Sequence, residues 1–229
     1  MAASITPAMQ EGLRRQEARG RELLDQGAAR LGWKAGFGTA AAMEKLGTSG
    51  PLVGFLTDAT LAPSGSTVDV AGWAKPVLEP EVAVRLGADV DADQDLEQVL
   101  GAIDAIAAAI ELVDLGQVSD DAGAILATNI FHRHVLLGDF LPLDGALDDV
   151  RMDVLSGGVV HAEAVEPAAM LGPLDEVVRG LAELLADSPE GLRAGDVIIT
   201  GAAVKPFALG GGESIEVRVG ASAVAVAIA

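Results

Sequence analysis

Apolar positions change their period several times along the chain, and each change marks an expected element. Thr6-Pro7 reads as an N-cap followed by proline at the first helical position. Met9, Leu13, Leu23, Leu24 and Ala28 then fall roughly on one face of a helix reaching about Ala29, which Gly12, Gly20 and Gly27 weaken. A short helix is expected over 39–46, with a turn from Gly47 to Pro51. Gly54–Asp58 and Thr67–Val70 read as short strands. A longer strand carries Leu78-Glu79-Pro80-Glu81-Val82-Ala83-Val84 and runs to Leu86; Pro80 inside it predicts an edge strand or an irregularity. Asp93 or Asp95 caps a helix with Leu96, Val99, Leu100 and Ile103 inward. From about Ile106 to Val113 the uniformly apolar run predicts a buried strand.

The second half alternates more plainly. Asp120 to Asn129 is small and apolar, without a clear period, and Val135–Gly138 follows as a strand. Val150–Leu155 and Val159–Val165, joined by Ser156-Gly157-Gly158, form the clearest hairpin. Pro173–Leu185 is an amphipathic helix with Leu174, Val177, Val178, Leu181 and Leu184 on one face. Strands at Val197–Thr200, Ser214–Val219 and Ala223–Ile228 complete the pattern, the last two turning at Gly220. No linker or repeat divides the chain. The expected organisation is one β-rich domain over 31–229 with an N-terminal helical arm over 1–30.

The 229 residues suffice for a sizeable core. Half are hydrophobic, 28 are glycine and only 3% are aromatic, which fits many tight turns around a Val, Leu, Ile and Ala interior. With no cysteine, disulfides, thiolate metal sites and a cysteine nucleophile are excluded. No apolar run reaches the roughly 18 residues of a membrane span, and the first twelve residues lack a signal-peptide pattern. The expected location is cytoplasmic, without membrane attachment. A net charge of −19 argues against a nucleic-acid partner. That charge is uneven: residues 1–45 carry 7 cations and 5 anions, the rest 8 and 29. An anionic substrate would therefore need a local positive centre.

Such a centre has candidates. On a strand, Glu79 and Glu81 leave the same face, where apolar neighbours make two unpaired anions costly. A bound cation is the simplest way to keep both ionised, although a solvated face is the plainer alternative. Glu111 lies in a second apolar run and is a third candidate, because buried, unpaired Glu is rare. Three carboxylates form a hard oxygen site suited to Mg²⁺ or Mn²⁺ rather than Zn²⁺. Lys34 sits in a Gly-flanked apolar segment, Gly32-Trp33-Lys34-Ala35-Gly36, where glycine permits close approach of a ligand. His132 and His134 share a strand face and read first as a solvated or packed pair, second as ligands. His161 reads as a surface residue.

Taken in order, these segments resemble a known family. Gly32-Trp33-Lys34-Ala35-Gly36, Leu46-Gly47, Gly54-x-Leu56-x-Asp58 and Leu78-Glu79-Pro80-Glu81-Val82-Ala83 are similar to the 2-keto-4-pentenoate hydratase family of the fumarylacetoacetate hydrolase superfamily. Ala109 to Asp114, Ala127-Thr128-Asn129, Met170-Leu171-Gly172 and Leu192 to Gly201 continue the match to the C-terminus. The resemblance implies an α+β fold built on a mixed β-roll or barrel with short helices. It implies Glu79, Glu81 and Glu111 as ligands of Mg²⁺ or Mn²⁺, Lys34 as the active-site lysine and Asp58 as an acidic group beside it. It further implies that Thr200 and Gly201 line the substrate.

The implied activity is hydration of a 2-hydroxypenta-2,4-dienoate-type 2-keto acid in aromatic catabolism. Decarboxylation of 4-oxalocrotonate, hydrolysis of an acylpyruvate, or a catalytically lapsed subunit partner are the alternatives. A homo-oligomer is expected, with a decarboxylase or hydratase partner subunit as a further option. The chain departs from the family at Val77-Leu78, where an arginine is common before the first Glu, and at Leu115-Gly116-Gln117, where Ser-Arg-Ile is common. Ala127-Thr128-Asn129 replaces Ala-Asp-Asn, and Gly211-Gly212-Glu213 replaces a Pro-Gly-Asp turn.

Overall fold

The computed structural model describes residues 5–116, 118–143 and 150–229, so Gln117 lies outside the described residues. Helix α1 (Pro7–Asp25) leads into strand β1 (Arg30–Gly36), helix α2 (Ala40–Leu46) and strand β2 (Leu52–Thr57). A 3-10 turn (Asp58–Thr60), β3 (Thr67–Val68) and the long β4 (Pro76–Leu86) follow. Then come α3 (Leu96–Ala102), β5 (Ile103–Asp114), α4 (Ala122–Ala127), β6 (His132–Leu137) and β7 (Leu141–Pro142). The hairpin β8 (Met152–Ser156) and β9 (Val159–Ala164) precedes α5 (Ala168–Leu171) and α6 (Leu174–Leu184). Strands β10 (Val197–Ala202), β11 (Phe207–Ala208), β12 (Ser214–Val219) and β13 (Ser222–Ile228) end the chain.

Two mixed sheets carry the fold. The larger runs β2-β1-β10-β4-β5-β6, with β11 added to β4 and β7 to β5; the smaller runs β3-β13-β12-β8-β9. Pairing is parallel for β1 with β10 and for β13 with β3, and otherwise antiparallel. This is the α+β, β-dominated arrangement with short helices that the sequence implies. Between the sheets, Val82, Ile110 and Leu112 share a buried core with Val217, Val224 and Val226. The Ser222 hydroxyl accepts from the Ala108 amide at 3.0 Å and ties the two sheets together.

Pro80 does not make β4 an edge. The strand is flanked by β10 and β5, and Pro80 pairs across to Ile110. Its carbonyl accepts from Ala203 N at 2.9 Å, so its missing N–H faces the β10 side, since one residue exchanges both bonds with the same neighbour. There the register slips between Ile199 and Ala202. The irregularity, not an edge, accommodates the proline.

The N-terminal helix also differs from expectation. It stops at Asp25, capped at its start by the Thr6 hydroxyl, which accepts from Met9 N at 3.2 Å. Gly12 is a contact rather than a weakness: a Cβ there would fall 2.2 Å from the carbonyl oxygen of Gly123 in α4. Gln16, buried on the same face, donates to Val53 O at 2.8 Å and Leu126 O at 3.0 Å. Strand β5 begins at Ile103 rather than Ile106, because α3 ends on Ile103 in an extended conformation. Helix α3 takes Asp95 as its cap, with the reciprocal Gln98 bond of a capping box. Strand β3 covers only Thr67–Val68. Helices α4 and α5 had no expected counterpart.

Candidate metal centre and its cavity

Glu79 and Glu111 are direct partners across the β4–β5 ladder, and Glu81 lies two residues further along β4. Strand alternation therefore turns all three carboxylates to one face. Each offers an oxygen within 4.8 Å of the others. Glu81 and Glu111 are fully buried, while Glu79 is partly exposed. Glu81 Oε1 and Glu111 Oε2 are buried without a hydrogen-bond partner. Leaving such oxygens orphaned is costly, so the donor set fits a hard divalent cation, which would take up both. The remaining Glu81 oxygen accepts from Gly201 N at 2.7 Å.

Charge crowding orders the three acids. Burial, reinforced by the charge of Glu111, pushes Glu79 up to about 7. Burial, then the charges of Glu111 and Glu79, pushes Glu81 well above the usual carboxylate range. Burial alone would raise Glu111 too, but Lys34 and His132 outweigh it and hold its carboxyl below the ordinary value. Lys34, itself buried on β1, bonds Glu111 Oε1 and donates to Ile130 O at 3.2 Å.

The backbone that presents Ile130 O is strained. Asn129, Ile130 and Phe131 have φ of 55°, 51° and 60°, a conformation that costs a β-branched residue of order 1–3 kcal/mol. Asn129 holds it by mimicking a strand partner: Oδ1 accepts from Phe55 N and Nδ2 donates to Phe55 O, both at 2.9 Å. Gly54, opposite Lys34 in the β1–β2 ladder, leaves the room. A Cβ there would lie 2.7 Å from Lys34 Cγ and 2.9 Å from Asn129 Oδ1. Gly54→Ala should therefore destabilise the protein by about 1–3 kcal/mol, read as a lower urea midpoint; an unchanged midpoint would show that Lys34 can move aside.

The other expected site residues divide. Lys34, Glu79, Thr200 and Gly201 all line a cavity of about 860 Å³. Thr200, however, gives its hydroxyl proton to Val82 O at 2.9 Å, and Gly201 gives its amide to Glu81, so both groups brace the trio. Asp58 is not among the residues lining that cavity. It is exposed in the turn after β2, accepting from Ala29 N at 2.7 Å, which fixes the entry into β1. The structure gives Asp58 a structural contact and does not bring it to the trio.

His132 was not singled out as a partner of Glu111. It is buried, with Nδ1 2.7 Å from Glu111 Oε1 and Nε2 2.9 Å from Thr60 Oγ1. Burial lowers its pKa against the opposing pull of Glu111. The register slips between Leu112 and Val113 on β5. His134 instead pairs with Leu112 and stacks on Trp73 at 6.0 Å, so the two histidines part company. His161 is exposed, as expected, with its ring edge-on to Phe207 at 5.0 Å. The only sequence signal for the His132 contact was its place at the head of the strand next to β5, and the slip hides which face it takes.

The mixed sheet thus carries a three-carboxylate group that could hold a metal ion, with Glu79 reaching the cavity wall. Residues 32–227 match the fumarylacetoacetate (FAA) hydrolase C-terminal family, and the chain belongs to it. A 4-oxalocrotonate decarboxylase of Pseudomonas putida is 32% identical over 215 residues, covering 90% of this chain and 76% of that protein. A 2-keto-4-pentenoate hydratase of Paraburkholderia xenovorans is 29% identical over 189 residues, covering 77% and 69%. Among solved structures, the 4-oxalocrotonate decarboxylase from Pseudomonas putida G7, complexed with magnesium and adipate, superposes with a TM-score of 0.84 at 27% identity, over 93% of this chain and 83% of that one. Among the described residues, no helix is long and apolar enough to cross a membrane.

Proposed function

We propose that the chain is a Mg²⁺- or Mn²⁺-dependent lyase of small 2-oxo acids, and that decarboxylation of a 4-oxalocrotonate-type substrate is favoured over hydration. The observation that carries this reading is the carboxylate trio: two of its oxygens, on buried Glu81 and Glu111, have no partner, and its third member, Glu79, lines a cavity together with Lys34. The magnesium and adipate of the 27%-identical decarboxylase support it. A bound divalent ion supplies a Lewis acid that polarises the 2-oxo oxygen and stabilises the negative charge developing there. Glu79, Glu81 and Glu111 would hold that ion. Lys34 Nζ, clamped by Glu111 and Ile130 O, presents an ammonium group to the cavity, where it would pair with the substrate or hold the proton the product oxygen takes.

The preference between the two reactions rests on His132. Losing CO₂ sends the electron pair of the breaking C–C bond through the conjugated chain to the 2-oxo oxygen, and no water has to be activated. Hydration needs a base that delivers water to the far carbon. His132, the ring beside the trio, spends one nitrogen on Glu111 and the other on Thr60. This reverses the order expected from the sequence resemblance. The working form would be a cytoplasmic homo-oligomer, with association to a hydratase subunit consistent with the chemistry.

The test follows absorbance and CO₂ release with Mg²⁺ present. The enzyme should consume 2-oxohex-3-enedioate with stoichiometric CO₂ and act poorly on 2-hydroxypenta-2,4-dienoate. Rapid hydration of the five-carbon dienoate without decarboxylation would restore the hydratase reading. Inertness towards both would remove the lyase reading.

A further inference from the structure

The two fully buried acids of the trio each divide their oxygens. On Glu111, Lys34 Nζ and His132 Nδ1 both meet Oε1, the ring at 2.7 Å, while Oε2 is buried with no partner. On Glu81, the Gly201 amide donates to Oε2 at 2.7 Å, and Oε1 is the bare atom. A carboxylate oxygen accepts about two hydrogen bonds, so Oε1 of Glu111 is full and only Oε2 is free for a cation. The division is strictest there, because Glu81 Oε2 carries a single bond.

Lys34 alone would not hold that division. An ammonium group has three donors on a flexible stem and can follow a carboxylate that rotates. The His132 ring is fixed instead: its side chain is 3% exposed, and Nε2 lies 2.9 Å from Thr60 Oγ1 in the turn after β2. An ionised carboxylate only accepts, so Nδ1 of the neutral ring carries the proton. Nε2 then takes the Thr60 hydroxyl proton in preference to Thr57 O, which is more distant at 3.2 Å. We propose that His132, set by Thr60, is a positioning residue that keeps Glu111 a one-oxygen ligand, so that the centre favours Mg²⁺ and Mn²⁺ over Ca²⁺. Ca²⁺ gathers about six to eight oxygens and readily takes both from one carboxylate, whereas the smaller ions suit about six single oxygens. This rests on the trio being a metal centre and adds how it selects its ion.

Calorimetry with Mn²⁺ and with Ca²⁺ alone reads the preference without any turnover. Wild type should bind Mn²⁺ about tenfold or more tightly than Ca²⁺, and His132→Ala, which frees one acceptor position on Oε1, should bring that ratio close to one. His132→Asn returns an N–H near the position of Nδ1 and should restore most of the ratio. Thr60→Val, a gentle change of similar volume, should narrow the ratio several-fold by releasing the ring. Thermal melting checks that each variant is folded, and if His132→Ala is not, Thr60→Val decides. Equal wild-type affinities for the two ions would overturn the selection. A preference that survives the folded variants, or that falls as far in His132→Asn as in His132→Ala, would overturn the role of the His132 N–H while the metal centre stands. A wild-type protein that binds neither ion would overturn the metal centre and this assignment together.

Discussion

Replacing Glu81 with glutamine should abolish divalent-metal binding and, in the absence of metal, make the protein more stable at pH 8. Glu81 is completely buried, and its Oε1 has no partner. Burial and the charges of Glu111 and Glu79 all oppose its ionisation. A glutamine keeps an oxygen for the Gly201 amide, removes the charge and turns an NH₂ donor towards its acidic neighbours. Relief of a buried, uncompensated anion is worth on the order of 1–3 kcal/mol. Loss of a ligand from a three-carboxylate set should lower Mn²⁺ affinity at least about 100-fold, the upper range for lesser changes around metal ligands. Calorimetric Mn²⁺ titration and urea unfolding without metal read the two effects separately. A variant that keeps its affinity, or that is destabilised without metal, would show that Glu81 is a structural group with no cation to serve.

Much of this centre was legible from the residue pattern. Strand alternation put Glu79 and Glu81 on one face before any pairing was known, and Glu111 was conspicuous as an acid in an apolar run. Their union depends on register, since Glu79 pairs with Glu111 only because β4 and β5 align at that step. The groups around them were less legible because local exceptions create them. Pro80 is tolerated in a central strand through the slip at Ile199–Ala202. His132 reaches Glu111 beside the slip at Leu112–Val113. Asn129 works as a surrogate backbone for Phe55 and sits in left-handed geometry, which its residue type permits but does not announce. Helix α4 escaped notice for a different reason. Ala122, Gly123, Ile125 and Leu126 are all buried, so the segment has no polar face and no period to read. Asp58, which the resemblance places beside the site, bonds Ala29 in the turn after β2, a contact that no residue pattern announces.

Without metal, the melting temperature should fall as pH rises from 5 to 8, and saturating Mn²⁺ should raise it far more at pH 8 than at pH 5.5. Glu79 is pushed up to about 7 in the folded protein from an ordinary 4.5, and burial with the charges of Glu111 and Glu79 pushes Glu81 well above the ordinary value too. Between those limits the folded chain keeps protons that the unfolded chain has released, so stability declines with rising pH. Glu111 acts with the opposite sign but in another window. Its folded value lies below 4.5, so the stability it lends is present above that and lost only as pH falls through the folded value. Self-repulsion of a chain with net charge −19 adds to the decline, and Glu81→Gln separates the causes because it should flatten the slope while leaving the surface charge otherwise unchanged. A cation held by the trio requires the carboxylates ionised, so binding near pH 6 must expel protons, and affinity should drop by up to about tenfold per pH unit for each proton released. Calorimetry in buffers of different ionisation enthalpy counts those protons. A melting temperature flat from pH 5 to 8, together with Mn²⁺ binding that releases none, would mean that the acids are already ionised without a cation, and the crowding that calls for one would be absent.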